Sequence, residues 1–284
     1  VLFQPLDYKT DCTGYFAANL IRSDVPLPLE GSTWDYSPHM SNRQQYEIAR
    51  IYTGGATLTE VCPDNLKEEW EAIKQVLKSC LKAFRTSRLS LEENCFYDAV
   101  PEYFLYQYLN TKNKITAHVL ETSARPANYA SMYDLLEMLS AIRHRPLNVD
   151  VRRISTLLSS VRGQNFQRTL QTVKHICDYN PWGTITGRLS TNANSLPILT
   201  MNKEFRACIK PTNDWLVELD FNAAELRTLI ALTGEEQPQI DIHEWNRKNI
   251  YRNIGSREDA KKRIFAWMYN SKSEDFLSNR AYDK

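Results

Sequence analysis

The sequence predicts an α+β chain, and three observations carry that expectation. The apolar periodicity changes along the chain, from short alternating runs over residues 1–60 to three- and four-residue spacing from residue 64 onward. A short apolar run, Trp215-Leu-Val-Glu-Leu219, leads directly into Asp220 and then into a helical pattern. The composition, 42% hydrophobic and 24% charged over 284 residues, supplies a real core and excludes a disordered chain, a collagen-like repeat or a coiled-coil rod.

Residues 1–60 mix alternating apolar groups with frequent Gly, Pro, Asn and Asp, the grammar of short strands and loops. Behind an Asp64 cap, Leu66, Trp70, Ile73, Leu77, Cys80, Leu81 and Phe84 recur at helical steps, which predicts an amphipathic helix packed on a core. Tyr97, Tyr103, Phe104, Tyr106 and Tyr108 make the next stretch aromatic, fit for a core or for stacking on bases. Pro126 and Asn128 mark a break, and helical patterns over 129–143, 148–162 and 165–178 predict an antiparallel helical region. Beyond Pro181, residues 215–219 predict a strand, and Leu226, Leu229 and Ile230 a helix that Gly234 closes. Ser256 followed by Asp259 opens a last helix with a near capping box.

The formal net charge is only +1, but its distribution is uneven. Residues 141–190 hold eight Lys/Arg against Asp150 and Asp178, a local +6 that predicts a phosphate-facing surface. The six cysteines form no C-x-x-C and no metal spacing with the histidines, so free thiols in a reducing compartment are expected. No run reaches 18 apolar residues and no signal peptide pattern opens the chain, which predicts a cytoplasmic protein without a membrane partner.

Chemistry concentrates toward the end. Arg257, Lys261, Phe265 and Tyr269 are spaced by four, which puts two cations and then two rings along one drifting helix face about 18 Å long. Cations suit a triphosphate and rings suit a base and sugar, although a solvated basic face beside core aromatics fits the same spacing. Asp220 ends an apolar run, where a carboxylate at a sheet rim can hold a divalent cation. Glu225 falls at the start of the next helix, an acid position that the helix dipole alone also favours. Asp241-Ile-His243 opens another helix, with His243 either a phosphate donor or a structural residue.

The order Thr186-Gly-Arg188-Leu-Ser190, Asp220 through Glu225 and Arg227, Asp241-Ile-His243, then Arg257, Lys261, Phe265 and Tyr269 resembles the polymerase domain of family A DNA polymerases. Lys112-Asn-Lys-Ile115, Leu219-Asp-Phe-Asn-Ala-Ala-Glu-Leu-Arg227 and Phe265-Ala-Trp-Met-Tyr-Asn270 are similar to its bacteriophage branch. The sharp motifs cover residues 180–270, and a looser likeness to the thumb reaches back to residue 95.

The resemblance implies a helical thumb-like module, an incomplete palm sheet and the first fingers helix of a right-hand polymerase. Its divisions are an N-terminal module of unknown role at 1–95, a thumb-like region at 96–180, the first part of the palm at 181–240 and the start of the fingers at 241–284. It implies that Asp220 is a catalytic, metal-binding aspartate, with the Phe221 carbonyl beside it, for two Mg²⁺ ions or for Mn²⁺. Glu225 would be the steric gate favouring deoxynucleotides. Arg257, Lys261 and His243 would meet the dNTP phosphates, Phe265 the sugar and base, and Tyr269 the insertion site. Arg188 would reach the primer-terminal minor groove, while Arg152, Arg153, Arg162, Arg168, Lys174 and Arg206 would contact primer-template DNA. The implied location is the cytoplasm, that of the host for a phage protein.

Three departures stand out. Asn270 replaces a family glycine, although Asn also tolerates a left-handed backbone. No DxE pattern of a proofreading exonuclease appears in the first hundred residues. The family's His-Asp-Glu motif, which carries the second catalytic aspartate, is absent from these residues, so a further C-terminal polymerase portion is the expected partner. Two alternatives remain open: a catalytically inactive primer-template or single-strand DNA-binding module, and an RNA polymerase of the single-subunit type, against which Glu225 and Phe265 speak.

Overall fold

The computed structural model describes residues 1–23, 25–40, 45–91 and 93–278, in a mixed α+β chain that divides into two compact units, Val1–Asp214 and Trp215–Lys284. In the first unit the opening residues form the short strands their alternation predicts. Strands β1 (Phe3–Pro5), β2 (Tyr15–Ala17) and β3 (Leu20–Arg22) make an antiparallel sheet, and β4 (Gly31–Thr33) pairs in parallel with β5 (Tyr46–Ile48). Three-residue strands are too short to persist alone. Burial holds them: Phe3, Phe16 and Ile48 are wholly inaccessible.

The polar side chain that knits them together is Gln4, also fully buried. Its Nε2 donates to Asn113 Oδ1 at 3.0 Å and Thr116 Oγ1 at 3.1 Å, while its Oε1 accepts from Thr33 Oγ1 at 3.3 Å. One amide thus ties β1 to β4 and to a helix more than a hundred residues away.

After α1 (Ala49–Tyr52), the predicted amphipathic helix is α2 (Asp64–Ser87), with Trp70 and Ile73 buried. Its cap position is Pro63, so Asp64 lies in the first turn rather than at the cap. Following α3 (Phe96–Ala99), the aromatic stretch becomes α4 (Glu102–Thr122). Its rings serve the core: Phe104 is buried, and Tyr108 stacks between Trp70 at 6.1 Å and Phe104 at 6.2 Å. Tyr103 stays 69% exposed. Residues on both sides of position 95 share this core, since Leu6 and Phe16 pack with Phe104, Leu109 and Ile115.

Helix α5 (Tyr129–Arg143) has the predicted bounds. The helices expected over 148–162 and 165–178 are instead a short strand β6 (Asn148–Val149), a 3-10 stretch (Val151–Ser159) and α6 (Val161–Thr172). Side-chain capping explains the break: Asp150 accepts from Arg152 N, and Ser160 Oγ accepts from Gly163 N at 3.0 Å. Gly163 also lets the chain fold back on itself, because a Cβ there would lie 1.8 Å from the Leu157 carbonyl oxygen. A hairpin of β7 (Tyr179–Asn180) and β8 (Ser190–Thr191) follows, then α7 (Lys203–Arg206) and β9 (Ile209–Lys210), which pairs with β6. Ile154, Phe166, Leu170, Leu196, Phe205 and Cys208 form the core here, with Phe166 and Phe205 stacked at 4.5 Å.

The free-thiol expectation needs correction for two cysteines: Cys12 and Cys95 form a disulfide with Cα atoms 6.0 Å apart, while Cys62, Cys80, Cys177 and Cys208 are free. Asp7 brings the two segments together. Its carboxylate accepts from Phe96 N at 2.9 Å and Lys9 Nζ at 2.7 Å, and Lys9 also donates to Asn94 O at 2.7 Å.

The second unit is helical: α8 (Ala224–Thr233), α9 (Ile242–Asn249), α10 (Arg257–Tyr269) and α11 (Glu274–Leu277). Leu226, Ile230, Ile242 and Ile264 form its core. Gly234 closes α8 with φ +75°, as its place after the apolar pattern predicts. The strand predicted at 215–219 does not form. Trp215, Val217 and Leu219 are 79%, 77% and 90% exposed, and no neighbouring strand lies among the described residues of this unit to complete a ladder. An apolar run suited to burial on both faces needs partners on both edges. No helix among the described residues is long and apolar enough to cross a membrane.

Two predictions follow from the packing of the first unit. Gly55 has φ +91°, and a Cβ there would lie 2.0 Å from Trp182 Cγ. Gly55→Ala is expected to lower stability by roughly 2 kcal/mol or more in urea unfolding, through backbone strain and overpacking. Lys112 is 4% exposed, donates to Tyr8 Oη at 2.6 Å, and burial pulls its pKa down to about 8 against the opposing charge of Asp35. The folded form loses this proton at a lower pH than the unfolded chain, whose ordinary value is 10.5. The stability difference, wild type minus Lys112→Met, is therefore expected to rise from pH 8 to 10, by up to about 1.4 kcal/mol per pH unit. Denaturant unfolding across that range measures it; a flat difference would sink the assignment.

Candidate functional site

The second unit gathers most of the residues singled out for nucleotide chemistry. Asp220 and Phe221 lie in an exposed turn ahead of α8, with Phe221 82% exposed. Ala223 then takes a left-handed backbone with φ 53°, and Glu225 falls in the first turn of α8, where the sequence puts it.

Asn222 and Arg227 fix this turn. Asn222 Nδ2 donates to Asp241 Oδ2 at 2.6 Å, and its Oδ1 accepts from Ile242 N at 3.0 Å. Arg227 reaches three carbonyls, donating from Nε to Asn222 O at 2.9 Å, from Nη1 to Pro238 O at 2.9 Å and from Nη2 to Ile240 O at 3.0 Å. The motif around Asp220 therefore serves to shape a loop as well as to present an acid.

Asp241 caps α9, accepting from Glu244 N at 2.9 Å. The same carboxylate grips Arg257 through two bonds, Nε at 3.1 Å and Nη2 at 2.7 Å. The Arg257 guanidinium holds the Asp241 carboxyl well below the usual range, against the effect of partial burial. His243, one turn-step along, is 3% exposed and lies against Phe265 with ring centroids 5.9 Å apart. Burial pushes its imidazole pKa down, and its Nδ1 has no hydrogen-bond partner among the described residues. The ring packs against an aromatic in the interior rather than facing solvent.

Helix α10 opens with the full capping box that Ser256 and Asp259 foretell: Asp259 N donates to Ser256 Oγ at 3.2 Å, and Ser256 N donates to Asp259 Oδ2 at 2.8 Å. Ala260 and Ile264 turn into the core, and Arg257, Lys261, Phe265 and Tyr269 form a stripe that starts beside Ile264 and drifts about 40° further from the core with each step of four residues. Phe265 and Tyr269 stack at 6.2 Å with planes 9° apart, Tyr269 is 67% exposed, and Lys261 is exposed. Asn270 ends the helix in an extended conformation, φ −127°, so the position makes no demand for glycine or for a left-handed residue. Arg263, on the opposite side, donates to Asp275 and covers the Tyr251 ring at 4.0 Å.

The remaining candidates belong to the first unit. Arg188 sits in the exposed loop between β7 and β8, where Thr184 Oγ1 donates to its carbonyl at 2.7 Å. Trp182 anchors the loop base, under Arg50 at 4.3 Å. Arg152 and Arg153 on the 3-10 stretch, Arg162 and Arg168 on α6, Lys174 after it and Arg206 at the end of α7 are all exposed. Arg152 also pairs with Asp150 at 3.2 Å, and Lys210 binds the same acid, so Asp150 is held at about 2 chiefly by Lys210. Partial burial and the nearby Lys9 charge both lower the Lys174 pKa.

The donor types at Asp220 suit one hard cation, a carboxylate with the Phe221 carbonyl next to it. They do not make a two-ion clamp. Among the described residues the one cluster of three potential ligands is Asp7, Cys12 and Cys95, whose two sulfurs are bonded to each other.

Comparison of the chain with protein-family models, curated proteins and solved structures finds no match.

Arg227 generates a prediction of its own. Arg227→Met removes three charge-assisted bonds to carbonyls and is expected to destabilise the second unit by about 2–4 kcal/mol, read from tryptophan fluorescence in urea. Arg227→Lys is expected to recover only part of the loss, because an ammonium lacks the planar fork.

Proposed function

We propose that this chain carries the nucleotide-binding face and one metal-binding aspartate of a template-directed DNA polymerase, which transfers a nucleotidyl group from a dNTP to a primer 3′-OH. The observation that carries the reading is the single face of α10. Over three steps of four residues it presents Arg257, Lys261, the Phe265 ring and the stacked, exposed Tyr269 ring, with His243 against Phe265. Cations at one end and parallel rings at the other match the charge and shape of a nucleoside triphosphate.

On this reading Asp220 and the Phe221 carbonyl hold a Mg²⁺ ion, and Mn²⁺ suits the same oxygens. A bound ion of that kind neutralises phosphate charge during phosphoryl transfer. Glu225, in the first turn of α8, excludes a ribose 2′-hydroxyl. Arg188 reaches the minor groove at the primer terminus, and the exposed bases Arg152, Arg153, Arg162, Arg168, Lys174 and Arg206 grip primer-template phosphates without reading sequence. The two-ion reaction also requires a second aspartate, so these residues are catalytically incomplete by themselves.

The reading predicts that dNTP with Mg²⁺ tightens binding to a primer-template whose next template base matches. Asp220→Ala and Arg257→Ala each abolish that gain while leaving salt-dependent DNA affinity intact. Fluorescence anisotropy with a labelled primer-template measures both. DNA binding indifferent to dNTP, Mg²⁺ and Asp220 would favour the inactive DNA-binding module instead. In the same assay Glu225→Ala is expected to let a matching rNTP replace the dNTP.

A further inference from the structure

Asp241 accepts four hydrogen bonds from three places in the chain. Oδ1 takes Glu244 N at 2.9 Å and Arg257 Nε at 3.1 Å, and Oδ2 takes Asn222 Nδ2 at 2.6 Å and Arg257 Nη2 at 2.7 Å. One carboxylate therefore joins the turn that bears Asp220, the start of α9 and the start of α10.

The two edges of the Arg257 guanidinium differ in kind. Asp241 occupies the Nε/Nη2 edge, in the parallel geometry that fixes the plane of an arginine. Asp241 is itself immobilised by its role as helix cap and by Asn222. Among the described residues the Nη1 side meets only Glu258 at 2.7 Å, an acid whose side chain is 63% exposed and hangs from the adjacent residue. An anion arriving from solvent can displace Glu258 by a side-chain rotation, but displacing Asp241 breaks the cap and the tie to Asn222.

We propose that Asp241 is a positioning residue of the nucleotide site: it holds Arg257 by one edge so that the other edge receives the terminal phosphates of the ligand. This rests on the nucleotide reading above. It also sets a sign that simple electrostatics does not. A carboxylate acting only as a nearby negative charge weakens anion binding, and its neutralisation tightens it; a carboxylate that aims the arginine does the reverse.

The test is calorimetric titration of the full chain with inorganic tripolyphosphate, comparing wild type, Arg257→Ala, Asp241→Asn and the double variant. Asn is as good a helix cap as Asp, so Asp241→Asn preserves the start of α9 while losing the charge-assisted grip. Asp241→Asn is expected to weaken binding about tenfold and to add almost nothing to Arg257→Ala, the non-additivity of residues that act as one unit. Asn222→Ala, which leaves every charge in place, is expected to weaken binding in the same direction and not to add to Asp241→Asn. Tighter or unchanged binding in Asp241→Asn, or a loss that simply adds to that of Arg257→Ala, overturns the proposal while leaving the nucleotide reading standing. Tripolyphosphate binding by wild type that ignores Arg257→Ala overturns the nucleotide reading, and this proposal with it.

Discussion

A polar group removed from water must find partners inside the protein, and in both units that constraint decides which distant segments meet. Gln4 has no access to solvent, so its amide collects β4 and α4 around β1. Asp241, partly buried at the head of α9, collects Asn222 and Arg257. Apolar cores supply the bulk of the favourable free energy, but they tolerate many arrangements of similar volume. A buried amide or carboxylate with every lone pair assigned tolerates very few. The short strands of the first unit and the short helices of the second owe their placement to such side chains as much as to burial.

The second unit distributes its cations with the same economy. Arg247 is held by Glu244 at 2.7 Å, Arg263 by Asp275, and Arg227 by backbone carbonyls. Three arginines are thereby given structural employment, and an arginine fixed by several acceptors contributes little to attracting anions. Lys261 stays exposed, and the second edge of Arg257 is met by the exposed side chain of Glu258. Along this stripe of α10 the two cations come first and the Phe265 and Tyr269 rings follow.

Local signals in the sequence were sufficient for much of this. The bounds of α5, the Gly234 stop and the Ser256–Asp259 capping box follow from spacing and capping chemistry that operate within one or two turns. The four-residue spacing of Arg257, Lys261, Phe265 and Tyr269 likewise transmits directly into one helix face. What escaped was non-local. The Cys12–Cys95 pair spans 83 residues, and the bond from Asn222 to Asp241 spans 19. The 3-10 stretch at 151–159 depends on capping by Asp150 and on Gly163 meeting the Leu157 carbonyl, which no apolar period reports. The run at 215–219 is the opposite case: its composition states what the side chains require, while a ladder depends on neighbours that composition cannot supply.

The bond between Cys12 and Cys95 has a mechanical consequence. Because it closes a loop of 83 residues, tension applied at the chain ends passes through the two sulfurs and bypasses everything between them. Helix α2 and the strands β2 to β5 lie inside that bypass. Fully stretched, the enclosed segment corresponds to about 270–300 Å of contour length that the oxidised chain withholds and the reduced chain releases.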